Sequence, residues 1–205
     1  MKIAHLVFLL LVSVQIFTPS CRNSSEKAVK SEAAETVDYV RSQSSSVPFN
    51  AIHKAALEGN LPLVKDLALN GTGVNTLDAE ERTALMYASY NGHTEVMKYL
   101  LDAGALVNVA DIYGRTALMM ASSGPFPEAV KLLLEKKAEV NSSDREEHFT
   151  ALMFAASEGQ LEIVKTLLDH GADPFRKDVD GDDALTFARN NGHSQVVSFL
   201  EKLSR

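Results

Sequence analysis

Several groups of side chains in this chain of 205 residues have types and spacing that could do chemistry. Asp178-Val179-Asp180-Gly181-Asp182-Asp183 has the acidic density of a calcium loop. An EF-hand places its glycine at position six and needs carboxylates at positions one and twelve. Those positions are Arg176 and Phe187, so a calcium loop is excluded. Met86, Met119 and Met153 could offer thioether sulfur to a soft metal such as Cu(I). His148 stands beside Glu146 and Glu147 as a possible ligand cluster, and otherwise reads as part of a solvated loop. Cys21 is the single thiol, and no Gly-x-Ser-x-Gly or phosphate-cradling glycine loop is present. The expectation is a chain with no catalytic residues, no cofactor and no metal.

What positions these side chains is a repeat. Thr83-Ala84-Leu85-Met86-Tyr87-Ala88 returns as Thr116-Ala117-Leu118-Met119-Met120-Ala121 and as Thr150-Ala151-Leu152-Met153-Phe154-Ala155. Weaker copies begin at Asn50 and Asp183, so the steps are 33, 33, 34 and 33 residues. A fixed period of this length predicts stacked helical units in place of one globular core. The three methionines then occupy equivalent places in successive units. Helices pack about 8–10 Å apart, so their sulfurs read as flexible core filler.

Each unit opens on a residue able to cap a helix: Asn50, Thr83, Thr116, Thr150 or Asp183. A polar turn follows, as in Asn91-Gly92-His93 and Asn191-Gly192-His193. A second helix then carries an apolar stripe, as in Val96, Met97, Leu100 and Leu101. It stops at Gly104-Ala105 or Gly171-Ala172, where glycine supplies left-handed backbone. The third unit is irregular. Gly124-Pro125-Phe126-Pro127 replaces its polar turn, Lys137 replaces its stop glycine, and its extra residue falls near Glu146-Glu147.

The pattern T-A-L-M-x-A, then G-H, then V-x-x-L-L-x-x-G-A-x-V-N, resembles the ankyrin repeat from about Pro48 to Leu203. The resemblance implies an all-α solenoid of stacked helix-turn-helix units joined by finger turns. It also implies a protein-binding scaffold, normally without catalysis. Ala84, Ala117, Ala151 and Ala184 depart from the family's proline. Met86, Met119 and Met153 depart from its histidine, which His53 keeps. The expected units are residues 50–82, 83–115, 116–149, 150–182 and 183–205. Glu201 stands where earlier units carry Ala68, Leu101, Leu134 and Leu168, as a last unit facing water would require.

Residues 1–20 carry one lysine and a run of about 15 mostly apolar residues, shorter than the roughly 20 of a membrane span. This leader, with Cys21 after Thr18-Pro19-Ser20, resembles a bacterial lipoprotein signal in which the cysteine is acylated. Thr18 departs from the usual leucine, and ordinary cleavage after Ser20 is the alternative. Residues 21–47 form a Ser/Glu-rich tether before the repeat domain at 48–205. Loss of the leader takes the net charge from −7 to −8, which argues against nucleic acid and against adhesion to anionic lipid.

In ankyrin repeats the finger tips and the ends of the first helices commonly make contacts. Carried over, the partner-binding candidates are Tyr90, Asn91, Ile112, Tyr113, Arg115, Arg145, Glu146, Glu147, His148, Glu158, Asp180 and Asp182. Glu80, Arg82, Phe149, Val179, Ser123 and Asn190 lie in the same regions. The acidic fingers favour a partner with a basic face. The expectation is a monomeric scaffold in the bacterial cell envelope, meeting the membrane only through lipid on Cys21. A soluble periplasmic or secreted protein is the alternative on location. An inhibitor or immunity-type protein, or a small-ligand binder or enzyme with an unrecognised site, are the alternatives on function.

Overall fold

The computed structural model describes residues 51–203. The leader, Cys21, the tether and the cap at Asn50 lie outside them. Ten helices occur among the described residues, in five pairs. They are α1 Ala51–Leu57 with α2 Leu61–Leu69, α3 Ala84–Tyr90 with α4 Thr94–Asp102, α5 Ala117–Ser122 with α6 Pro127–Glu135, α7 Ala151–Ser157 with α8 Leu161–Asp169, and α9 Ala184–Asn190 with α10 Ser194–Leu200. First helices pack on one another in chain order, and second helices do the same alongside them. No described helix is long and apolar enough to cross a membrane.

The periodic residues do what their types require. Thr83, Thr116 and Thr150 each accept the backbone N–H three residues on, at 3.3, 3.4 and 3.3 Å, and Asp183 does so at 2.9 Å. Leu85, Leu118 and Leu152 are buried beside Met86, Met119 and Met153, so the methionines are core. Leu185 is only half-buried, because among the described residues no later first helix covers it.

Three sets of polar bonds join one unit to the next. An aspartate opens each finger: Oδ1 of Asp78, Asp111, Asp144 and Asp178 each accepts two backbone N–H groups of its own turn. The fingers held this way pair by one backbone bond at each step: Ile112 N to Glu80 O, Arg145 N to Tyr113 O, and Val179 N to Glu147 O, at 3.0, 2.8 and 3.1 Å. At the other end of the unit, Asn75, Asn108 and Asn141 each bridge to the following helix stop. Asn75 donates to Gly104 O and accepts from Leu106 N, at 3.0 and 2.8 Å. Asn108 does the same with Lys137 and Glu139, and Asn141 with Gly171 and Asp173.

The third set lies at the turns between paired helices. His93 Nε2 and Asn91 Nδ2 both donate to Leu57 O, at 3.0 and 2.8 Å. His193 and Asn191 do the same to Ser157 O, at 2.8 and 2.9 Å. Gly59 and Gly159 lie so close under these rings that a Cβ on either would sit within 3 Å of imidazole atoms. Phe126 takes the ring's place over Gly92.

Lys137 has φ 68°, in the region that Gly71, Gly104 and Gly171 occupy at 92°, 90° and 86°. Its N–H bonds Leu134 O at 3.0 Å, as Gly104 N bonds Leu101 O at 3.2 Å, so the stop is built alike without glycine. A side chain held left-handed is strained by its Cβ. Lys137→Gly is therefore expected to raise stability by up to about 1 kcal/mol. Urea denaturation is the measurement, and a clear loss of stability would show that the lysine side chain contributes more than its backbone strain costs.

Candidate functional site

A groove lies between the fingers and the first helices of the second, third and fourth pairs. Its volume is about 280 Å³. Met119, Met120 and Phe154 form an apolar floor, Tyr87 and Tyr90 one wall, and Arg82, Arg115 and Ser123 the polar edge. Small-molecule sites usually run to about 300–1,000 Å³. This one lies at the small end of that range.

Helix period explains the lining. Tyr87, Met120 and Phe154 are the variable x of T-A-L-M-x-A, one position on from the buried methionine and half-exposed, and Phe187 holds the same place after Thr186 in the last copy. Phe187 extends the floor past the groove. Phe149 meets Phe154 and Phe187 edge to face, with ring centres 5.5 and 4.9 Å apart. Tyr90 closes α3 with 58% of its surface exposed.

The two arginines precede the capping threonines and turn back on their own fingers. Arg115 Nε and Nη2 reach Asp111 Oδ2 at 2.9 and 2.8 Å, and its guanidinium lies 4.7 Å from the Tyr113 ring centre. Arg82 Nε reaches Asp78 Oδ2 at 3.0 Å, while its Nη2 pairs with Glu80. Its guanidinium lies 5.0 Å from the Tyr87 ring centre.

A denser network backs this edge. Tyr87 donates its hydroxyl to Asp78 Oδ2 at 2.6 Å. Burial works to raise the Asp78 carboxyl, but the bonds from Tyr87 and Arg82 outweigh it and hold the group below its usual 3.8. Burial and the bond to Asp78 push the Tyr87 phenol up. His53 is fully buried, bonded through Nε2 to Thr76 O at 2.9 Å, and desolvation holds its pKa down.

Of the candidates read from sequence, the structure brings Tyr90 and Arg115 into the groove, together with Arg82 and Ser123. Tyr113 and Ile112 flank it on the second finger and are exposed. Arg145, Glu146, Glu147 and His148 are exposed on the third finger, and Asp180 on the fourth, with Asp182 half-exposed. Arg145 also braces neighbouring fingers, since its Nη1 donates to Ile112 O at 2.8 Å. Asn91 is exposed, yet its amide is engaged with Leu57 O, and Glu158 is exposed at the end of α7. Tyr87, Met120 and Phe154 were not among the candidates. Their signal was variation at one place in an otherwise constant motif. His148 has φ 60°, at the place held by Gly114 and Gly181, so this side chain stands on left-handed backbone where the extra residue was fitted in.

A family model described as "Ankyrin repeats (3 copies)" matches residues 52–144 and again 143–202. A "Putative E3 ubiquitin-protein ligase XBAT34" of Arabidopsis thaliana is 46% identical over 52 residues, which are 25% of this chain and 14% of that protein.

The Asp78 network carries a pH-dependent test. A carboxyl held low in the folded state adds stability above its unfolded value, near 3.8, and loses it as the pH falls below that. Tyr87→Phe is expected to destabilise by about 1–2 kcal/mol at neutral pH, by removing a hydrogen bond to a charged group. The deficit should shrink once Asp78 is protonated, and urea denaturation at neutral and at acid pH measures both. An equal deficit at both would show that the hydroxyl does not act through the charge.

Proposed function

The chain belongs to the ankyrin-repeat family, and on that premise we propose that it is a non-catalytic protein-binding scaffold. Its five helix pairs are read as five repeats, and a protein partner engages the groove at the centre of the array. The observation that carries this reading is the groove itself, with Tyr90, Met120 and Phe154 presented beside Arg82 and Arg115. Tyrosine and arginine dominate binding hot spots, and a rigid aromatic wall loses little entropy when covered. Ankyrin repeats are generally interaction modules, and this surface is the kind such modules use. The exposed acids Glu146, Glu147 and Asp180 give the C-terminal half of the rim a negative edge that favours a basic surface around the bound segment.

The scaffold is further proposed to work in the bacterial cell envelope, monomeric and held through lipid on Cys21. The support is the leader at residues 1–20 and the Ser/Glu-rich stretch at 21–47. The ligase activity named for the Arabidopsis relative is that protein's own, and the match spans 14% of it.

Two experiments test these readings. A photo-crosslinking residue in place of Tyr90, in living cells, is expected to yield one recurrent protein adduct. The same probe in place of Lys98, exposed on α4, should not give it. An identical adduct pattern from both positions would remove the groove from the proposal. Cys21→Ala is expected to move the protein from the membrane fraction to the soluble fraction, and an unchanged distribution would reject the lipid anchor.

A further inference from the structure

Carbonyls at the ends of the first helices set the centre of the array apart from its ends. Leu57 O and Ser157 O each receive an asparagine and a histidine from the following repeat. The equivalent carbonyls of Tyr90 and Ser123 receive no such side-chain pair among the described residues. The next repeats place Gly124 and Phe126, or Glu158 and Gln160, where those donors would stand. Tyr90 and Ser123 are also the two residues that border the groove at these junctions. Two repeats thus depart from the packing rule where the groove opens, and departures without a packing gain collect at functional places.

Arg115 adds the chemistry. It spends Nε and Nη2 on Asp111, whose carboxylate is fully buried, and its Nη1 has no partner among the described residues. The groove therefore offers an apolar floor of Met120 and Phe154 next to a guanidinium with donors to spare. Arginine pairs with carboxylates through parallel donors. The exposed acids Glu146, Glu147 and Asp180 lie farther along the rim.

Resting on the scaffold reading, we infer that the groove takes a protein segment in which an aromatic or long aliphatic anchor adjoins a carboxylate. The anchor covers Met120 and Phe154, the carboxylate meets Arg115, and backbone N–H groups of the segment reach Tyr90 O. Ser123 stands at the same edge, its hydroxyl turned to Met120 O at 2.8 Å, so a carboxylate placed there competes with that of the segment for Arg115.

The test is selection of a random-peptide library displayed on phage against the mature protein, followed by binding measurements on synthetic peptides from the winners. The expected winners carry Phe, Tyr or Leu with Asp or Glu within two residues. Ser123→Glu and Met120→Ala should each weaken them by about tenfold or more, with circular dichroism unchanged. Replacing the peptide carboxylate with its amide should weaken binding to the parent protein and cost much less against Ser123→Glu. Winners rich in Lys and Arg, or insensitive to both variants, would overturn this inference while leaving a binding scaffold. Failure to enrich any peptide whose binding Tyr90→Ala reduces would overturn the groove reading itself, and this inference with it.

Discussion

Short helices leave most of their backbone unsatisfied, and everything else in this array answers that constraint. An α-helix has four free N–H groups at its start and four free C=O groups at its end. In helices of six to nine residues those ends are nearly the whole element. Such helices are marginal alone. Most are completed from outside: Thr83, Thr116, Thr150 or Asp183 before a first helix, a left-handed residue after four of the second helices, and at two junctions side chains from the next repeat. The apolar core is continuous along the stack for the same reason, since no single pair could enclose Leu118 or Leu152 alone.

Finger geometry follows from a single carboxylate per repeat. Asp78 and Asp111 are almost wholly buried, which would be costly for an unpaired charge. Two backbone N–H groups and an arginine surround each one. The arginine is therefore fixed by structural demand and, as a by-product, presented at the groove edge. In the third and fourth fingers the same place holds Phe149 and Asp182, and the aspartate of the turn keeps only its backbone partners. Fold and groove share these side chains, so the character of the groove changes along the array while its frame does not.

Much of the frame was legible in the sequence because one physical need recurs at one spacing. The threonine caps, the stop glycines and the left-handed backbone at Lys137 all follow from position in the repeat. The groove was less legible. Constancy marks packing, so Tyr87, Met120 and Phe154 passed as an unassigned x in the motif. Asn91 drew attention as an exposed polar side chain, although its amide is committed to the repeat before it. The bridges from Asn75, Asn108 and Asn141 were also hidden, because their partners lie about 30 residues away and are backbone atoms with no sequence signature.

The third repeat shows how irregularity stays affordable. Gly59, Gly92 and Gly159 take φ near 70° and each accepts a ring from the following repeat: His93, Phe126 and His193. Pro125 occupies the corresponding place in the third repeat, and proline cannot adopt positive φ. The following repeat answers with Gln160, which brings no ring to a turn where Pro125 stands in the place of the left-handed glycine. Turn and ring therefore change together across a junction. Phe126 can fill its slot over Gly92 but cannot donate a hydrogen bond, so packing is kept at this junction while the clamp on Tyr90 O is given up. That trade retains most of the apolar contact and frees polar backbone at the groove edge, which is the pattern expected where a stack is specialised for a partner without being loosened.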